Sequence, residues 1–256
     1  DACLYVAETA DGELLLAPTV GAEFSGVALP AGWSSLPWAT GGTATVGGGQ
    51  IVVDEARAWT DASYGPERVL EFVATFGSAQ YHHAGFAVDQ DFATPYAMFS
   101  THNTSSALYA RTNAGIPVDV SIPGSWLDAP HTYRIEWNLN TIDFYVDGVL
   151  KTTVNAAIDT AMNVAISDYQ SAEPALSVDW LGLTPYVSPC TFESRVMDAE
   201  ALVDWLTLDW MGDLPAGTAV NFETRSGDSI DPEVGWSDWA AVSGDLVPSP
   251  DSQYVQ

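Results

Sequence analysis

The sequence predicts an all-β protein, with a large two-sheet sandwich over residues 1–188 and a second, smaller β-sandwich-like domain over residues 189–256. Three observations predict this class: helical periodicity is almost absent, short runs alternate between apolar and polar residues, and clusters of Gly, Pro, Asn and Asp separate the runs. A chain of 256 residues, 47% of them hydrophobic, is long enough to bury one large core and one small one.

The first half of the large domain carries a series of predicted strands. A Gly-rich stretch at 41–49 leads into a strand at Gln50–Asp54, and Arg68–Phe76 alternates so strictly that its apolar side chains share one face. The runs His83–Val88, Tyr96–Thr101 and Ala107–Asn113 continue the series. We expect these strands to form a meander.

Two hairpins in succession are the clearest local signal. Strands at His131–Trp137, Ile142–Val146 and Val149–Thr153 are separated by a turn at 138–140 and by Asp147-Gly148. Asp-Gly supplies the positive φ angles of a tight type I′ turn, and the flanking runs are rich in β-branched and aromatic residues. A last strand at Ala175–Leu183 closes the domain before a linker with two prolines.

The small domain is predicted to contain strands at Thr191–Val196, Val203–Trp210, Ala219–Arg225 and Trp236–Val242. Its core is expected to be built from Trp205, Trp210, Trp236 and Trp239, because it has few other large side chains. Residues 252–256 begin to alternate without completing a strand, which leaves three alternatives. The domain leans on the first one, the natural polypeptide is longer and the domain is truncated here, or a partner adds a strand at the C-terminal edge, as in a filament or surface subunit.

The charge balance narrows the class of partner. The net charge is −27, from 34 acidic and 7 basic residues, and such a field repels phosphate backbones and anionic lipid. No run approaches the length of a membrane helix. We therefore expect no nucleic acid partner and no membrane insertion, which leaves neutral polysaccharides or other glycans and divalent cations.

The two cysteines, Cys3 and Cys190, flank the large domain and predict a disulfide, with two unrelated buried thiols as the alternative. The sequence has no initiator Met and no signal peptide, so it looks like a mature secreted product. We expect a secreted or cell-surface protein in an oxidising environment.

The double hairpin resembles a hallmark of concanavalin A-like lectins and laminarinase-type, LamG-like glucanases. His-Thr-Tyr-Arg-Ile-Glu-Trp at 131–137, followed by Ile-Asp-Phe-Tyr-Val-Asp-Gly at 142–148, carries the resemblance, which covers roughly residues 20–185. It implies a jelly-roll sandwich, a fold that serves hydrolases, lyases, lectins and adhesion modules. The small domain resembles accessory β-modules that follow such domains in bacterial surface and secreted proteins.

The sequence departs from the glucanases at their catalytic strand. Those enzymes carry Glu-x-Asp-x-(x)-Glu on one strand, and retaining chemistry needs two carboxylates about 5–5.5 Å apart. The runs at 83–88 and 96–101 contain no glutamate, and Asp89 and Asp91 lie in a turn-like stretch. We therefore expect no hydrolysis by that mechanism.

The strongest candidate for a binding face contains His82, His83, His102, Tyr109 and Arg111. Three of the four histidines fall in this short region, and alternation places Tyr109 and Arg111 on the face opposite Leu108 and Ala110. Such a polar and aromatic surface suits sugar hydroxyls and ring stacking. Ordinary solvated residues on an exposed sheet are the alternative.

Tryptophans near Gly- and Pro-rich turns are candidates for an exposed stacking platform. Trp126 is the one assigned to the carbohydrate site, and Trp33, Trp38 and Trp59 share its setting. Trp137 and Trp180 lie in alternating strands and are expected in the core.

The sequence thus favours glycan binding without catalysis through a concave sheet face. A glycoside hydrolase or polysaccharide lyase with an atypical site is the alternative, because some sandwich-fold lyases use His, Tyr, Arg and Gln, which Gln80, His82, Tyr109 and Arg111 supply at unfamiliar spacing. No spacing predicts zinc. The resemblance implies a structural calcium ion, with Asp179 as a ligand by strand position.

Overall fold

A computed structural model describes residues 3–6, 14–170, 174–212, 214 and 218–256. The chain divides into two compact units, Asp1–Cys190 and Thr191–Gln256. Within the described ranges the regular structure is all strand, so the predicted all-β class is confirmed. No helix long and apolar enough to cross a membrane occurs in those ranges.

The strands, in chain order, are β1 (Leu4–Val6), β2 (Leu14–Leu16), β3 (Pro18–Ala22), β4 (Trp33–Pro37), β5 (Thr43–Gly47), β6 (Gln50–Asp54), β7 (Ala56–Thr60), β8 (Arg68–Thr75), β9 (His82–Ala87), β10 (Tyr96–Ser100), β11 (Leu108–Asn113), β12 (Pro117–Ile122), β13 (His131–Trp137), β14 (Thr141–Val146), β15 (Val149–Asn155), β16 (Asn163–Asp168), β17 (Leu176–Tyr186), β18 (Met197–Val203), β19 (Glu223–Thr224), β20 (Ser226–Gly227), β21 (Ala240–Ala241) and β22 (Ser252–Val255).

The first unit is the predicted two-sheet antiparallel sandwich. Its seven-stranded sheet has the order β12-β11-β10-β9-β16-β7-β4, and its eight-stranded sheet has the order β15-β14-β13-β8-β17-β6-β5, with β3 also paired to β17. The meander is formed by β9 to β12. The expectation that β8 belongs to it is wrong, because β8 pairs with β13 and β17 in the other sheet.

The core lies between the two sheets and is rich in aromatic rings. The inward side chains of β8 include Leu70 and Phe72, which are 1% and 2% exposed, as its alternation predicts. Phe99, from the seven-stranded sheet, packs against Tyr133 and Phe144 of the eight-stranded sheet with ring centroids 4.9 and 5.2 Å apart. These contacts fix which face of each strand points outward.

The predicted hairpins are present. Asp147 and Gly148 join β14 to β15 with φ angles of 51° and 72°, the positive values that a type I′ turn requires. The Asp147 carboxylate also accepts a hydrogen bond from the Thr132 N–H (3.1 Å) and contacts the His131 ring (2.9 Å). This turn is therefore attached to the start of β13.

One tryptophan expected in the core lies outside it. Trp137 is fully buried, but Trp180 is half-buried. The register of β17 against β8 shifts between Val178 and Trp180. Inward side chains are normally two residues apart in a strand, but here Val178 is followed in the core by Leu181, three residues later. This bulge turns Trp180 to the outer face of the eight-stranded sheet.

The predicted disulfide is confirmed. Cys3 and Cys190 are bonded, with Cα atoms 5.9 Å apart and a sequence separation of 187. The bond joins the two ends of the first unit, and Ala17 N–H adds a hydrogen bond to the Cys3 carbonyl (2.8 Å).

The second unit has a three-stranded sheet of order β18-β22-β20 and a two-stranded sheet of β19 and β21. Residues 191–196 form no strand, and the predicted strands at 219–225 and 236–242 are reduced to two-residue pieces. β22 is the central strand and pairs on both sides. The expectations that the last strand is incomplete and offers a C-terminal edge for strand addition are therefore wrong.

The predicted tryptophan core of the second unit is also wrong. Trp210 and Trp239 are 45% and 41% exposed, and Trp205 and Trp236 are half-buried. The buried side chains among its described residues are small and hydroxylic: Thr224, Ser226, Ser249 and Ser252. The rings pack on surface groups instead; for example, the Arg225 guanidinium lies 4.6 Å from the centre of the Trp239 ring.

Candidate functional site

Three rows of side chains cross the outward face of the seven-stranded sheet. Residues opposite each other on neighbouring strands align, and these strands pair in register. The first row is Leu36, Arg57, Ser167, His83, Ser100, Tyr109 and Ser121. The second row is Ser34, Trp59, Ala165, Gly85, Met98, Arg111 and Asp119. The third row is Asn163, Ala87, Tyr96, Asn113 and Pro117.

We call these three rows the open face. Since adjacent strands lie about 4.8 Å apart, a row of seven strands is about 29 Å long. The rows thus run across the strands over the length of an extended polymer, with exposed side chains towards the β4–β7 and β11–β12 ends and mostly buried ones on β16, β9 and β10 between them.

The middle of the open face is covered: Ala87, Tyr96, Met98 and Ala165 are at most 8% exposed, and Trp59 and Phe92 pack against them. Ala165 and Gly85 lie side by side between Trp59 and Met98. Gly85 has φ +153°, and a Cβ there would come within 2.5 Å of the Ala97 carbonyl oxygen. A side chain at this position is therefore excluded.

His83 is held as a neutral imidazole in the first row. Ser100 Oγ accepts a hydrogen bond from the His102 N–H (2.7 Å) and forms a second hydrogen bond with His83 Nδ1 (2.8 Å), whose direction depends on the tautomer of the ring. Burial, followed by the positive charge of Arg111 and the neighbouring His82 and His102, lowers the pKa of His83 to about 3. His83 is therefore uncharged at neutral pH.

A polar cluster occupies the β11–β12 end of the open face. Arg111 Nε donates to Asp119 Oδ1 (2.6 Å), and His102 Nε2 lies 3.5 Å from the other carboxylate oxygen. The ring of Tyr109 meets His102 edge to face, with centroids 5.6 Å apart. Burial and Arg111 lower the pKa of His102, while Asp119 opposes them.

An aromatic cluster occupies the β7 end. Trp38 Nε1 donates to Ser167 Oγ (2.8 Å), and the Arg57 guanidinium lies 3.9 Å from the centre of the Trp38 ring. Arg57 also forms an ion pair with Asp91 (2.7 Å). Tyr169, which is 51% exposed, meets Trp38 edge to face at 5.1 Å.

The structure brings together four of the six residues predicted for the carbohydrate site, His83, His102, Tyr109 and Arg111. The face of Tyr109 and Arg111 follows the predicted alternation, since Leu108 and Ala110 are buried beneath them.

His82 does not join this group. Neighbouring side chains in a strand point to opposite faces, and His82 points inward and is fully buried. Its Nε2 lies 3.1 Å from the Asp168 carboxylate, and its Nδ1 accepts a hydrogen bond from the Gly77 N–H (3.2 Å). The prediction that His82 belongs to the carbohydrate site is therefore wrong, because its side chain lies in the interior.

Trp126 does not join it either. Its ring packs against the core, meets His131 edge to face at 5.2 Å, and lies 4.5 Å from Lys151 Nζ. Its Nε1 donates to the Pro123 carbonyl (3.0 Å). The Trp126 ring, which lies in a loop near Gly and Pro, therefore packs against β13 and β15 and does not form an exposed surface for stacking a sugar.

Sequence reasoning missed the other end of the open face. Arg57, Ser167 and Tyr169 were not candidates, because β7 and β16 were not predicted as strands. The alternation of Ala-Arg-Ala-Trp-Thr at 56–60 is a signal that could have identified β7. Trp38 and Trp59, noted as turn-proximal rings, do reach this face, whereas Trp33 is 8% exposed and packs against Phe24.

Carboxylates are sparse on the open face. Its three rows, all within the described residues, contain one carboxylate, Asp119, which is paired with Arg111. The outward positions of β9 and β10, the two strands that contain no glutamate, are His83, Gly85, Ala87, Tyr96, Met98 and Ser100. The arrangement therefore lacks the adjacent pair of carboxylates that glycoside hydrolysis with retention uses.

No group of three or more carboxylate, imidazole or thiol side chains suited to a metal occurs in the part of the chain that the structure describes. Asp179 lies at the bulge of β17, and burial raises its pKa. A calcium ion at Asp179 would need mainly backbone oxygens as further ligands, and it stays a prediction.

Comparison with known proteins gives the following. A family model described as glycosyl hydrolases family 16 matches residues 97–181, about a third of the chain. The endo-β-1,3-glucanase from Pyrococcus furiosus is similar in structure, with 13% identity, a TM-score of 0.52, and coverage of 73% of this chain and 99% of that chain. A native glycosidic hydrolase has 16% identity, a TM-score of 0.50, and coverage of 68% and 98%. No curated protein matches.

These likenesses establish the fold. The sandwich is a concanavalin A-like jelly roll, as the resemblance of the double hairpin implied.

Proposed function

We propose that the open face binds a neutral polysaccharide without cleaving it, in a secreted or cell-surface protein. The observation that carries the proposal is the set of polar and aromatic side chains at the two exposed ends of the open face, with no pair of adjacent carboxylates along its rows.

The chemistry of the open face suits a sugar polymer. Sugar rings present hydroxyls to hydrogen-bonding groups and C–H faces to aromatic rings. The half-buried Trp59 and Tyr109 supply rings on either side of the covered middle. Neighbouring strands lie about 4.8 Å apart, so positions along each row follow one another at a regular spacing, as the units of a polymer do.

The electrostatics favour an uncharged ligand. Arg57 and Arg111 are each paired with a carboxylate, and His83 is neutral. The net charge of −27 repels anionic polysaccharides from a distance.

The disulfide supports the extracellular setting, because such bonds form and persist in oxidising compartments.

Catalysis is the second candidate function. The family-model match supports it, and the two similar structures are described as a glucanase and a glycosidic hydrolase. In this chain such an enzyme would have to use Asp119 with His102 or Tyr109, an arrangement different from paired carboxylates.

Binding is tested by affinity measurements on a panel of soluble neutral polysaccharides. Trp59→Ala and Tyr109→Ala should each weaken binding roughly five- to tenfold, the loss of one stacked ring. Tyr145→Ala is the matched control: this half-buried tyrosine stacks on Arg134 at 4.0 Å on the outer face of the other sheet. Equal affinities in all three variants, or no binding to the panel, would contradict the proposal.

Catalysis is tested on the same panel by release of reducing or unsaturated ends. We expect none from the wild-type chain. Release that Asp119→Asn abolishes would replace the binding proposal with the enzymatic one.

A further inference from the structure

The second unit contains a pocket that the function of the open face does not use. It has a volume of about 520 Å³ and is lined by Trp210, Val220, Asn221, Phe222, Glu223, Ala241, Val242 and Gly244. It lies beside the short β19–β21 pair, whose ladder is extended by a hydrogen bond from Val242 N–H to the Phe222 carbonyl (2.9 Å).

An exposed tryptophan ring forms one wall of this pocket. Trp210 packs against Phe222 with ring centroids 5.3 Å apart, and a Cβ at Gly212 would come within 2.6 Å of the ring. Both neighbours hold the ring in place. Even so, 45% of Trp210 remains exposed, so ring surface is left for a ligand.

Two polar side chains complete the recognition surface. Asn221 and Glu223 flank Phe222 in sequence, both are exposed, and both line the pocket. Neither side chain forms a hydrogen bond or ion pair with other described residues. An amide and a carboxylate that line the same pocket as an exposed indole can receive the hydroxyls of a sugar ring.

We propose that this pocket is a second glycan-binding site, which takes an uncharged sugar unit stacked on Trp210 and hydrogen-bonded to Asn221 and Glu223. The charge of the unit disfavours an anionic sugar, because its acidic residues far outnumber its two arginines, Arg195 and Arg225, and Glu223 is itself in the site. The proposal goes beyond the function of the open face and does not depend on it.

The experiment uses the full 256-residue chain labelled with 5-fluorotryptophan and followed by ¹⁹F NMR. The resonance of Trp210 is assigned by its loss in Trp210→Phe, and that of Trp59 by its loss in Trp59→Phe. Neutral oligosaccharides are then titrated. We expect shifts of the Trp210 resonance that saturate with sugar concentration. The combined Asn221→Ala and Glu223→Gln variant keeps the indole and should lower the affinity obtained from this titration roughly tenfold.

Met211→Ala is the matched control, because Met211 is 99% exposed beside Trp210 but does not line the pocket. It should leave the titration unchanged. An equal loss in Met211→Ala would show a nonspecific apolar patch and overturn the proposal.

The two tryptophans distinguish the two proposals. A shift at Trp210 alone keeps this site and contradicts binding at the open face. A shift at Trp59 alone overturns this site and leaves the open face intact. No shift at either ring overturns both.

Discussion

Adjacent histidines in one strand have opposite environments. His82 points inward to Asp168, and His83 points outward to Ser100, because successive strand side chains alternate. The same rule, applied to β11, was enough to predict from sequence which face Tyr109 and Arg111 occupy. It could have separated His82 from His83 as well. The sequence could not indicate that Trp126 packs as it does, because its partners, His131 and Lys151, come from strands that only the folded hairpins bring together.

His83 predicts how stability depends on pH. Its pKa is about 3 in the folded protein, against an ordinary value near 6.5, so the unfolded chain takes up the proton first as the pH falls. Stability should therefore decrease as the pH is lowered from about 6.5 towards 3, by up to about 1.4 kcal/mol per pH unit from this group.

His83→Gln should remove that part of the slope. The measurement is the free energy of unfolding in urea at a series of pH values in that interval, with Tyr109→Phe as a control that alters the open face but keeps the imidazole. Parallel curves for His83→Gln and wild type would contradict the assigned protonation state.

At the scale of elements, the strongest sequence signals gave the most accurate strands. β6 and β13 have the predicted bounds, and the type I′ turn at Asp147-Gly148 follows from local chemistry alone. β16 was missed because its short run, Asn163–Asp168, is buried on both faces and does not alternate regularly between apolar and polar residues. The prediction that Trp180 is in the core is wrong because a bulge in β17 exchanges the inward and outward positions of the residues that follow it. The position of a bulge depends on how the strand pairs with its neighbours in the folded sheet. Strands with weak local signals thus carry half of the open face.

Gly85 is predicted to be essential to the middle of the seven-stranded sheet. In Gly85→Ala the new Cβ would approach the Ala97 carbonyl oxygen and the Met98 Cα to 2.5 and 2.6 Å, so the strands must separate or bend. We expect a loss of about 2–4 kcal/mol in the free energy of unfolding.

Gly47→Ala is the matched control for urea denaturation, because no heavy atom lies within 4 Å of the added Cβ. It should change the stability by less than about 0.5 kcal/mol. A Gly85→Ala variant as stable as this control would show that the sheet can absorb the side chain.

At the scale of the whole molecule, composition and family resemblance predicted the sandwich and the disulfide, but not the interior of the second unit. Predicting a tryptophan core there assumed that large rings must be buried. The structure buries hydroxyl groups instead, with Thr224 Oγ1 and Ser249 Oγ 2.7 Å apart, and leaves Trp210 beside a pocket. In so short a unit, which side chains are buried depends on which loops contact each other. The alternation of apolar and polar residues along the sequence does not predict those contacts.

The disulfide is predicted to stabilise the first unit mainly by restricting its unfolded chain. For a sequence separation of 187 between the cysteines, the chain-entropy model gives at most about 5 kcal/mol. The Cys3→Ser, Cys190→Ser double variant should unfold at a lower urea concentration by a corresponding amount, and reductant should shift the wild type but not the variant. A midpoint that neither change moves would show that the bond does not constrain the unfolded state.

The most direct test of the central claim is the crystal structure of the chain with a neutral oligosaccharide that binds it. The account predicts that the sugar chain lies on the open face, runs across the strands, and has rings against Trp59 and Tyr109. A sugar chain that runs along the strands, or that occupies the outer face of the eight-stranded sheet, would contradict it.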